Sequence, residues 1–168
     1  MTPATIVRHV SAAAGVVGCL ACGHSGIDAA KFDAVRAAAL ALRTDVGAAA
    51  GGRVSHLPEL LRAFQAEVAA TESRVSGRDE RAVLRSYANA ADAYKLVLRF
   101  EQLEREEVRG MVLLRGANQP AALRYGVPFE ERGGGRWVNR KTAMKVFAAS
   151  ADAALSEAAR LVGGTRAR

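Results

Sequence analysis

The chain has two cysteines, Cys19 and Cys22, and their C-x-x-C spacing would suit a dithiol redox pair or half of a zinc site. No second pair exists to complete four-coordinate zinc. The run continues Gly23-His24, one residue too long for the C-x-x-C-H pattern of haem attachment. Two small residues buried in an N-terminal helix remain an alternative with no chemistry at all. A second constellation, Arg136, Trp137, Arg140, Lys141 and Lys145, surrounds the expected start of the last helix. Cations oppose the positive end of a helix dipole, so a bound phosphate or carboxylate would relieve them. Trp137 beside them suits a membrane interface or a stacking contact. The competing reading is an ordinary solvated surface. Arg78, Arg81 and Arg85 form another basic face, partly neutralised by Asp79 and Glu80, and read as solvated too.

Enzyme signatures are missing. There is no G-x-S-x-G elbow, P-loop, H-E-x-x-H or dinucleotide turn in the sequence. Beyond the cysteines only His24 and His56 follow, the second near an expected helix start. Glu67, Glu72, Asp92 and Glu157 would have to meet inside a bundle to hold metal, and no Glu-x-x-His pair accompanies them. The sequence therefore implies no catalytic residue, no metal and no cofactor.

The first residues suggest an address. Met1 to His9 carries one charged side chain, Arg8, and an uncharged stretch follows from Val10 to Gly18. A membrane-spanning helix needs about 20 apolar residues, whereas this length suits the apolar region of a secretory signal. Val16-Val17-Gly18-Cys19 is similar to the lipobox of bacterial lipoprotein precursors: an aliphatic residue, a small or aliphatic one, a small one, then Cys. Small residues let the extended backbone enter a peptidase site, and the thiol takes the diacylglycerol as a nucleophile. The resemblance covers about the first twenty positions. It implies that residues 1–18 are removed and that Cys19 is lipidated, with a fatty acyl group such as palmitate, as the new N-terminus. The mature chain would then face the periplasm from the cell envelope, with the outer membrane favoured where there is one, because Leu20 rather than Asp follows the cysteine. Residues 19–27 read as the lipidated cysteine and a glycine-containing tether, 28–164 as the folded domain and 165–168 as a tail.

Length and composition set the architecture. The 168 residues are half hydrophobic yet only 5% aromatic, with alanine runs that favour closely packed helices over sheet. The +7 formal charge suits anionic partners in principle, anionic headgroups or nucleic acid among them, although acidic residues are interspersed along most of the chain. The periodicity predicts four helices. The first runs from an Asp28 cap to about Ala50, with Phe32, Val35, Ala39, Leu42 and Val46 on one face. The second opens after Ser55 and presents Leu57, Leu60, Leu61, Phe64, Val68, Thr71 and Val75. Ser76 and Asp79 match a capping box, though Gly77 lets the stretch serve equally as a turn, before a third helix from about Arg78 to Val108, with Val83, Tyr87, Ala90, Tyr94, Val97 and Phe100 inward. The fourth starts near Asn139 and ends before Gly163-Gly164, burying Met144, Phe147, Ala151, Leu155, Ala158 and Val162. These elements imply an all-α, antiparallel four-helix bundle. The connection from Arg109 to Val138 is too long to be idle. Val127 to Glu130 and Arg136 to Val138 are expected to pair across Gly133-Gly134-Gly135, in a segment that covers one end of the core.

Overall fold

Asp28 opens the folded body by accepting the Ala30 backbone N–H, 3.1 Å away. A single 3-10 turn over Ala29–Phe32 leads into α1 (Asp33–Ala48). The computed structural model describes residues 26–48 and 56–164. Residues 1–25, with Cys19 and Cys22 among them, 49–55 and 165–168 lie outside the described residues. Then follow α2 (Leu57–Glu72), α3 (Arg78–Gln102), a 3-10 turn at Leu103–Glu106, β1 (Met111–Leu113), α4 (Asn118–Arg124), β2 (Glu130–Arg132), β3 (Gly135–Asn139) and α5 (Arg140–Gly164). Among the described residues the protein is mostly helical, with five helices and a three-stranded antiparallel sheet between the third and the fifth.

The heptad-like spacing of apolar residues is what the core uses. Phe32, Val35, Ala39 and Leu42 are buried from the first helical segment; Leu57, Leu61, Phe64 and Thr71 from α2. All six inward residues expected of α3 are buried, and from α5 Phe147, Ala151, Leu155 and Ala158 are. Val46, Leu60, Val68, Val75, Met144 and Val162 lie at the margin of that core. Alanines at 90, 91 and 93 of α3 and at 143, 151 and 158 of α5 are buried, which lets these two long helices approach closely.

Several elements differ from the sequence expectation: α2 stops at Glu72, short of Val75, and α5 runs through Gly163 and Gly164 rather than ending before them. The third helix stops at Gln102 rather than near Val108, because the chain tightens into the 3-10 turn at Leu103–Glu106 and then becomes extended at Glu107. The cap of α3 is Gly77, not Ser76, and Glu80 in its first turn reaches back to the Ser76 N–H at 3.1 Å. The long connection also holds two elements that periodicity does not show, β1 and α4. Seven residues are too few for a helical pattern to repeat, and Gly126 at φ +67 ends α4. Its end is a Schellman-type closure, with Val127 N–H donating to Ala122 C=O at 2.9 Å.

Glu80 closes the body at its beginning. Its carboxylate, on a residue 6% exposed, accepts both the Lys31 ammonium, at 2.8 and 2.9 Å, and the Asp28 N–H at 3.4 Å. The Lys31 hydrogen bond, with the Ser76 and Asp28 N–H groups, holds the Glu80 carboxyl below its ordinary value even though burial acts the other way. A group with a depressed folded pKa stabilises the fold fully above the unfolded value, about 4.3, and loses that contribution as pH falls through the folded value. Lys31→Met is therefore expected to cost about 1–3 kcal/mol at neutral pH and to move the acid-unfolding midpoint to higher pH. Urea unfolding at neutral pH measures the first, and circular dichroism across an acid titration the second.

On the opposite side, Arg43 of α1 pairs with Asp152 of α5 at 3.0 Å, and the Tyr94 hydroxyl of α3 reaches the same carboxylate at 3.4 Å. Burial, then the Asp152 charge, pushes the Tyr94 hydroxyl well above its ordinary pKa, so it remains a protonated donor.

Candidate functional site

The sheet and the start of α5 carry the basic and aromatic residues singled out from the sequence. Its strand order is β1-β3-β2, and both pairings are antiparallel. Gly133 and Gly134, at φ +56 and +76, form the two-residue link between β2 and β3. That is the primed hairpin turn whose twist matches the strands and which non-glycine residues adopt at a cost. Pairing runs Glu130 to Trp137, Glu131 to Arg136 and Arg132 to Gly135. The hairpin thus forms across the expected glycines, with its first strand shifted from Val127–Glu130 to Glu130–Arg132. A Cβ on Gly135 would lie 2.6 Å from the Leu113 Cδ1, so Leu113 of β1 packs over a bare backbone there.

The five candidate residues do not converge on one point. The Arg136 guanidinium lies over the Phe129 ring, 5.0 Å from its centroid, and its Nε is 3.5 Å from a Glu131 oxygen. The half-buried Trp137 donates its indole N–H to the Arg132 carbonyl at 3.3 Å. Arg140 is buried, 7% exposed; its Nε donates to the Glu107 carboxylate, with Glu104 at 3.6 Å and the Met144 sulfur at 3.7 Å. Lys141 and Lys145 are exposed on the first turns of α5.

This arrangement answers the dipole problem posed by the sequence. Asn139 caps α5 by accepting the Thr142 N–H at 2.9 Å, and the Arg140 N–H donates to the Gly110 carbonyl at 3.1 Å. The charge of Arg140 is offset by Glu104 and Glu107 from the turn after α3. Sequence reasoning missed those two glutamates as partners. The available signal was the acid-rich stretch Glu104-Arg105-Glu106-Glu107 at the end of the third helix.

The other candidates are dispersed. Asp92 pairs with Lys95 at 2.9 Å and Glu157 with Arg160 at 2.7 Å, the latter lowering the Glu157 pKa. His56 precedes α2 and its side chain makes no capping bond. Among the described residues no three His, Cys, Asp or Glu side chains are grouped to hold a metal ion, and no helix is long and apolar enough to cross a membrane.

The second basic face has a different character. Arg78, Arg81, Arg85 and Arg99 are all exposed on α3, and at 100° per residue they fall within an arc of about 60°. Among the described residues none of the four is in an ion pair. Comparison of the chain with protein-family models, curated proteins and solved structures finds no match.

Proposed function

We propose that this chain is a lipid-anchored protein of the cell envelope that works through contacts, as a scaffold or accessory module, rather than by catalysis. The observation that carries the reading is Val16-Val17-Gly18-Cys19, followed within a short tether by a fold that begins at Asp28. The four long helices, taken as an antiparallel bundle with the sheet as its cover, make a body suited to presenting surfaces. Its partners are the membrane through the N-terminal lipid and, beyond that, anionic headgroups or another envelope protein.

Mass spectrometry of the native N-terminus tests this. The expected result is a chain beginning at Cys19, carrying acyl mass, in the membrane fraction. A native chain that begins at Met1 without acyl mass overturns it. The rival is a cytosolic helical protein that binds nucleic acid, favoured by the +7 charge and the arginine row of α3. An unprocessed chain that binds duplex DNA with steep salt dependence would establish that rival.

A further inference from the structure

Anchoring at Cys19 would place one end of the molecule at the bilayer, and the contacts of Glu80 identify which end. Asp28 and Lys31, at the start of the fold, are bound to Glu80 in the first turn of α3. The covalent chain from Cys19 to Asp28 can span at most about 30 Å. Arg78 and Arg81 flank Glu80 in sequence, and Arg85 follows one turn later, all three exposed. They span about 10 Å along the helix axis, whereas Arg99 lies about 31 Å from Arg78. Arg74, two residues beyond α2, is exposed at the same end of the molecule. The carboxylates opposing them there are Glu72, Asp79 and Asp28. The Lys31–Glu80 and Arg36–Asp33 charges already neutralise each other.

We infer that Arg78, Arg81 and Arg85 form a docking surface for anionic lipid headgroups beside the anchor. This rests on the lipid-anchored reading for its geometry. The row carries no exposed aromatic or large apolar side chain, so the contact is electrostatic and lies on the headgroups without inserting between acyl chains. The surface holds the body down against the bilayer and leaves the sheet and the α5 face turned away from it. Guanidinium groups suit this role because their planar donors match phosphate oxygens in pairs.

The test uses the full-length chain with Cys19→Ser, so that no acyl group contributes, and vesicles of phosphatidylglycerol with phosphatidylcholine against phosphatidylcholine alone. Each arginine near an anionic surface is expected to change binding about fivefold. The triple variant Arg78→Gln, Arg81→Gln, Arg85→Gln should lose about a hundredfold on the anionic vesicles. A control of equal charge change away from α3, Arg105→Gln, Arg115→Gln, Arg124→Gln, all exposed, should lose less than about fivefold, and circular dichroism verifies that both are folded. Equal losses in the two triples, absence of preference for anionic vesicles, or tighter row-dependent binding to duplex DNA than to the vesicles at the same salt overturns the inference. If the native chain proves unacylated while row-dependent vesicle binding persists, the anchor fails and the headgroup surface stands.

Discussion

Phe147→Ala is expected to remove about 3–5 kcal/mol of stability, a large share of the 5–15 kcal/mol typical of a domain. Phe147 is fully buried on α5, with the Phe100 ring of α3 at 5.1 Å on one side and the Tyr125 ring after α4 at 5.5 Å on another, both edge-to-face. Truncation leaves a cavity and forfeits two aromatic pairings, each worth about 0.5–1.5 kcal/mol beyond area burial. Because one ring touches both a long helix and the inserted segment, helices and sheet should loosen together. Urea unfolding followed by far-ultraviolet circular dichroism and by Trp137 fluorescence would report the two parts separately. The two curves should shift to lower urea by the same amount and stay coincident. Curves that separate would show that the insert unfolds on its own. Lys145→Ala, an exposed neighbour two residues earlier, should stay within about 0.5 kcal/mol of the parent.

The helical half of the architecture was legible because burial imposes a period. Val83, Tyr87, Ala90, Tyr94, Val97 and Phe100 recur at three and four residues, and every one is buried. The hairpin was legible because consecutive glycines supply the positive φ that its turn requires. β1 was not: Met111 to Leu113 is three residues, shorter than any pattern, and it becomes a strand only because β3 lies beside it, pairing Val112 with Val138. Tertiary pairing also decided the fate of the basic cluster. The sequence shows five residues near a helix start, but it does not show that Glu104 and Glu107 fold back to meet Arg140, since those partners lie 36 and 33 positions away. A hydrophobic period is a local signal, whereas charge compensation between distant segments is not.

That compensation makes Arg140 the second position of large expected effect. Its side chain is 8% exposed, that of Glu107 22% and that of Glu104 66%, so Glu107 is the partner that water serves least. Arg140→Ala should cost about 3–5 kcal/mol by leaving a mostly buried carboxylate without its counter-charge. Removing both charges is a different matter, because desolvation of an ion pair offsets much of its Coulombic gain. Arg140→Met with Glu107→Leu should therefore recover most of the loss, and the double-mutant cycle should show coupling of at least about 1 kcal/mol. An Arg140→Ala cost below about 1 kcal/mol would mean that the pair is not the element joining the turn after α3 to α5. The same position separates structure from ligand binding: an arginine satisfied by Glu107 has no need of an external anion. Phosphate in place of chloride at matched ionic strength should shift the unfolding midpoints of the wild type and of Arg140→Met with Glu107→Leu by the same amount. A phosphate-dependent rise that Arg140→Met with Glu107→Leu abolishes would instead make the start of α5 an anion site.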